Sequence, residues 1–203
     1  MIRYLFDAAN AITALGLTFA VTAIYFALVG RFEVGICFAL CALLADHADG
    51  MVANSSANRS AFTAQVGSLF DGLADLVNLA VFPAVLILSF NAFSVAALSA
   101  AICLVVSGAF RLSYLKTIGL DADGFTRGLP LNTDPFVLAL LFATKRYLPA
   151  QTLGTLLIGA AFLLTVLHLS TFKFPGTGNA LRLTHLALAA VGLIALLTDE
   201  FGS

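Results

Sequence analysis

The chain has no tryptophan, only three histidines, three cysteines and five prolines in 203 residues, and just 10% of its residues are charged. Each shortage removes a class of protein. Cys37, Cys41 and Cys103 fall in apolar stretches without a C-x-x-C pair, so neither a disulfide framework nor a zinc site is expected, and they read as small buried hydrophobes. Ten Lys and Arg against eleven Asp and Glu give a net charge of −1, with the basic residues scattered among loops. That distribution excludes a nucleic-acid-binding stripe. There is no internal repeat and no low-complexity linker, and one domain is expected over residues 1–203. The opening MIRYLFDAANAIT carries one arginine and an early Asp7 but no small-residue cleavage site. It reads as an interfacial lead rather than a removable signal.

What is present in excess is apolar sequence, at 61% of residues, including 18 phenylalanines that suit a lipid-facing surface. A membrane span needs about 20 mostly apolar residues. Segments near 11–30, 34–53, 66–90, 93–115, 129–147, 150–170 and 179–198 meet that length. The expected fold is an all-α integral membrane protein, a bundle of six to seven transmembrane helices. The segment 129–147 is interrupted by Asp134 and Pro135 and closed by Lys145 and Arg146, so it is expected to be tilted or broken. With the N-terminus inside, Arg3, Arg59, Arg111, Lys116, Arg127, Lys173 and Arg182 are cytoplasmic, against Arg31, Lys145 and Arg146 outside. The positive-inside rule favours that orientation. It leaves Asp199 and Glu200 outside if there are seven spans.

Four of the eleven acidic residues, Asp46, Asp49, Asp71 and Asp75, cluster around the junction of the second and third spans. Ions at membrane depth are costly to desolvate and mark water-filled cavities, proton paths or metal sites. Asp46, Asp49, Gly50 and Ala53 occupy i, i+3, i+4 and i+7 of one helical face, and Gly67, Asp71 and Asp75 occupy i, i+4 and i+8 of another. Two antiparallel helices would turn a pair of carboxylates each toward one gap, with Gly50, Ala53 and Gly67 as an open floor. The gap would be a polar cavity facing the cytoplasm. Four like charges require a compensating cation or protons. An all-oxygen site suits Mg²⁺ or Mn²⁺, which would hold substrate phosphates. Interhelical glue or an ion or proton transporter remain as alternatives, although inverted repeats are not seen.

The run D-H-A-D-G-M-V-A-N, twelve further residues, then G-S-L-F-D-G-L-A-D resembles the signature of the CDP-alcohol phosphotransferases, D-x2-D-G-x2-A-R-x8-G-x3-D-x3-D. Seven of its eight fixed residues are matched. NAITALGL at 10–17, GRFEVGICFALCALLAD at 30–46, FDGLADLVNLAVFPA at 70–84, and GAFRLSYLK with FTRGLP within 108–130 are most similar to the branch that transfers a phosphatidyl group to serine. Two departures stand out. Asn54 occupies the signature arginine, and twelve residues rather than eight precede Gly67, a spacing similar to the bacterial phosphatidylcholine synthases. Arg59, in the same loop, could supply a cation from another backbone position.

The resemblance implies that Asp46, Asp49, Asp71 and Asp75 bind two divalent ions, Mg²⁺ or Mn²⁺, bridging the diphosphate of CDP-diacylglycerol. Asp75 would also be the general base that takes the proton of the acceptor hydroxyl, CMP being released. Gly50, Ala53 and Gly67 would admit the cytidine nucleotide, and Arg111 would bind a phosphate or the serine carboxylate. Serine is the implied acceptor, choline or another small alcohol the alternative, and a non-catalytic member the third reading. The resemblance further implies a homodimer in the cytoplasmic membrane. Lys116 and Arg127 read as positive-inside anchors. Asn132 and Asp134 read as contacts to an amino-alcohol, Asp134 alternatively as a helix N-cap. His47 reads as a neighbour of the ligands rather than a ligand, and His168 and His185 as packing or interhelical hydrogen-bonding residues.

Overall fold

The structure is a computed structural model, and it describes residues 2–55 and 59–175. The expected span at 179–198, with Arg182, His185, Asp199 and Glu200, lies outside the described residues, as does the side chain of Arg3.

After a single turn at Ile2–Leu5 come α1 (Ala8–Leu28), α2 (Phe32–Ser55), α3 (Ala61–Phe90), α4 (Val95–Ile118), α5 (Asp134–Ala143) and α6 (Ala150–His168). All but α5 are long and apolar enough to cross a membrane, so the chain is a helical, multi-pass membrane protein. Two three-residue strands, β1 (Phe125–Arg127) and β2 (Lys173–Pro175), pair antiparallel with Thr126 opposite Phe174. They join the α4–α5 connection to the segment after α6 at the polar end of the bundle.

The segment 129–147, expected to be tilted or broken, is broken: it forms a ten-residue helix flanked by 3₁₀ turns at Leu131–Thr133 and Lys145–Tyr147. Pro135 sits in the first turn of α5, where its missing N–H has no helical partner to lose. The segment still runs alongside α2 between Glu33 and the carboxylate cavity. At one end Asn132 shares a cavity with Asp46, and at the other Lys145 pairs with Glu33.

Lipid tails are as apolar as the side chains, so helices in a bilayer associate through close contact rather than hydrophobic burial. Small residues provide it here. Ala20, Ala23 and Ala27 of α1 are fully buried, as is Ala39 of α2. A Cβ placed on Gly35 would lie 3.0 Å from the Ala23 carbonyl oxygen, and one on Gly16 would lie 3.2 Å from Ala45 Cβ. Gly108 similarly brings α4 onto α3, where an added Cβ would stand 2.8 Å from that of Ala80.

Helix α3 changes pitch partway. Residues Val77–Val81 form a π turn in which Phe82 N–H donates to Val77 O. Pro83 follows directly and cannot donate to the carbonyl four residues back, which gives the wide turn a local cause; π turns are frequent at functional sites. Asn78, buried in this turn, donates through Nδ2 to Ala39 O at 3.1 Å. That bond ties α3 to α2 beyond the carboxylates.

Candidate functional site

The helix termini at one end of the bundle bring the chemistry together. Ser60 caps α3, its Oγ accepting from Thr63 N at 3.1 Å, and so starts the helix about two turns before Gly67. Asp71 and Asp75 then face α2. The carboxylate oxygens of Asp46, Asp49 and Asp71 include one from each residue that all lie within 4.8 Å of one another. Asp75 stands one turn further along α3, beside this tight group, and lines the same cavity of about 250 Å³. An all-oxygen cluster of this kind fits a hard divalent cation.

The cluster is only partly satisfied within the chain. Thr13 of α1 donates to Oδ2 of Asp49, and Lys116 Nζ pairs with Oδ2 of Asp71 at 2.6 Å. Lys116 offsets one of four negative charges. His47 Nδ1 lies 2.8 Å from Leu43 O and 3.5 Å from Asp46 Oδ2, so its Nδ1 side is turned back along its own helix.

Two chambers flank the carboxylates. The larger, of about 250 Å³, extends to Arg111 and to Asn132. Arg111 is 3% exposed, and its Nη2 donates to Thr126 Oγ1 at 2.9 Å. The β1–β2 ladder therefore fixes the arginine in the wall. The smaller chamber, of about 170 Å³, opens on the other side toward α1 and contains Gly50, Ala53 and Gly67 together with Asn10 and Arg59. Asp49, Gly50 and Asp71 belong to both.

Several expectations change on this geometry. Gly50 is open as expected, with no atom within 4 Å of an added Cβ. Gly67 is not open floor, because a Cβ there would collide with the Arg59 guanidinium and Asn10 Oδ1. Lys116 is not a peripheral anchor, since its stem crosses Gly72 to reach Asp71. Arg127 is exposed on β1, opposite Lys173. Asp134 is neither a cap nor a cavity contact: Thr133 is the N-cap of α5, and Asp134 is fully buried with Oδ1 3.1 Å from His168 Nε2. His168 thus makes the interhelical hydrogen bond expected of it.

The sequence reading passed over Asn10 and Thr13, and it took Lys116 for an anchor rather than a partner of Asp71. Asp7, Asn10 and Thr13 recur every three residues along one side of an otherwise apolar segment, which is the signal that was available. Lys116 carried none, because nothing in its spacing from Asp71 across two helices and a loop shows that they meet.

No curated protein matches the chain. The family model for CDP-alcohol phosphatidyltransferase matches residues 6–193, which take in α1 to α6 and both chambers, and the chain therefore belongs to this family of phosphotransferases, which use divalent metal.

Proposed function

We propose that this protein transfers the phosphatidyl group of CDP-diacylglycerol to the hydroxyl of serine, releasing CMP and forming phosphatidylserine in the cytoplasmic membrane, as a homodimer with its site facing the cytoplasm. The observation that carries the reading is the convergence of Asp46, Asp49 and Asp71 within 4.8 Å at a chamber whose lining also includes Asp75 and the buried Arg111.

Asp46, Asp49, Asp71 and Asp75 would hold the divalent metal. When bound, that metal neutralises charge on the diphosphate and on the departing CMP. Asp75 takes the proton from the acceptor hydroxyl, whose oxygen attacks the β-phosphorus. A new P–O bond forms as the bond to the CMP oxygen breaks, and the proton stays on Asp75 until solvent removes it. Arg111 receives the serine carboxylate through charge-assisted hydrogen bonds, and Asn132 orients the acceptor. Gly50 and Ala53 allow the cytidine nucleotide to approach the smaller chamber. The family's phosphotransfer activity removes the transporter reading.

Choline remains the second acceptor to test, because twelve residues separate position 54 from Gly67. The carboxylate that would have suited its ammonium, Asp134, is instead taken up by His168. The test is CMP release by purified protein with CDP-diacylglycerol and Mg²⁺ or Mn²⁺, with serine, choline, inositol or glycerol 3-phosphate supplied separately. Serine-dependent release that disappears in Asp75→Asn is the expected result. Release with choline alone would replace serine as acceptor, and no release with any acceptor would overturn the proposal.

A further inference from the structure

We propose that Arg59 is the cation that receives the nucleoside-phosphate end of the donor, in place of the arginine that the signature puts at position 54. This deepens the reaction proposed above and rests on it.

Position 54 carries no charge here, and Asn54 is exposed at the last turn of α2. Arg59 lies beyond the end of that helix, yet its side chain returns to the site and is only 11% exposed. Its Nη2 lies 2.9 Å from Asp7 Oδ2 and donates to Asn10 Oδ1 at 2.6 Å. Gly67 leaves the room for it, since any side chain there would occupy the guanidinium's place. Twelve residues rather than the signature's eight separate position 54 from Gly67, and Arg59 is one of them.

The anchoring contacts use one end of the guanidinium, which has five donors in a fixed fork. Arg59 Nε is buried and has no hydrogen-bond partner. Leaving a buried charged donor unsatisfied is unfavourable, and this one belongs to a side chain in the wall of the chamber of about 170 Å³ that also contains Asp49, Gly50 and Asp71. One wall is thus carboxylate, the other guanidinium, and the floor between them is small residues. A nucleoside phosphate matches all three, its oxygens pairing with the guanidinium in charge-assisted bonds while a divalent ion links it to the carboxylates. Asp7 and Asn10 act as positioning residues that hold Arg59 at the chamber.

The test is equilibrium binding of CMP, with Mg²⁺ or Mn²⁺, to the purified full-length protein in lipid nanodiscs. Three proteins are compared: the wild type, Arg59→Gln, and Arg59→Gln combined with Asn54→Arg. Loss of a hydrogen bond to a charged group corresponds to about 10-fold or more in affinity. Arg59→Gln is therefore expected to weaken CMP binding by at least about 10-fold, and the double variant to restore it to within about 3-fold. The double variant returns a guanidinium to the signature position without Arg59's own contacts to Asp7 and Asn10, so rescue is the result that a merely structural arginine does not predict. Unchanged binding in Arg59→Gln overturns the proposal while leaving the reaction intact. Weakened binding without rescue also overturns it, reducing Arg59 to a brace for α1. Absence of CMP binding in the wild type overturns both the assignment and the reaction it rests on.

Discussion

Gly50 has open space where a side chain would stand, and it lies on the wall common to both chambers. Glycine within a helix is about 1 kcal/mol less favourable than alanine, so the position sacrifices helix stability for room. Gly50→Ala is expected to raise the melting temperature of the ligand-free protein slightly while raising KM for the CDP-linked donor by about 10-fold or more, corresponding to at least ~1.4 kcal/mol of binding. An unchanged KM would show that the nucleotide does not approach this backbone. Gly50 and the four aspartates were legible in the sequence because their periodicity on two helices repeats within a few residues. Lys116 and Asn10 reach their partners across helices, so only the fold reveals those contacts, and Arg59, legible as a cation of the loop after α2, shows its partners Asp7 and Asn10 only there. Gly67 was read as space for a ligand because a glycine in sequence does not say whose side chain fills the gap it leaves.

The helices were legible by length and apolarity, which is why five long segments recur close to their expected places. Pitch was less legible: the π turn at Val77–Val81 coincides with Pro83, with Asn78 bonding to α2 and with the close approach of Gly108, two of which lie across helices. The break before α5 was foreseeable from Pro135, but the role of Asp134 was not, since its partner lies 34 residues away on another helix. That pair joins the start of α5 to the end of α6, with both side chains buried. Gly128 lies beside it with φ of +74°, where any Cβ would meet His168 O. Removing one member of a buried pair leaves the other unsatisfied, at a cost on the order of 3 kcal/mol. Asp134→Ala is expected to lower thermal stability in detergent markedly, and Asp134→Asn, which keeps an acceptor oxygen, to lower it less. Equal melting of wild type and Asp134→Ala would show that the pair does not hold the two helices.

Across the whole molecule, Arg59, Arg111, Lys116, Arg127 and Lys173 gather at the carboxylate end, while Arg31, Lys145 and Arg146 lie at the other. The asymmetry follows the positive-inside rule and predicts that the chambers face the cytoplasm. Asp123 and Tyr147 are exposed at opposite ends of the bundle. With Cys37, Cys41 and Cys103 replaced by alanine, Tyr147→Cys should react with a membrane-impermeant maleimide in intact cells, and Asp123→Cys only after permeabilisation. The reverse pattern would invert the orientation.

The partition between the chambers has a thermodynamic consequence. Because Asp49 and Asp71 form part of both walls, a ligand on one side changes the charge and the side-chain order met by a ligand on the other. Linkage then requires reciprocity: whatever factor the donor's presence adds to acceptor affinity, the acceptor must add to donor affinity. With donor and acceptor in the two chambers as proposed, the two substrates would be effectors of one another, with no moving element needed to carry the message beyond the shared wall itself.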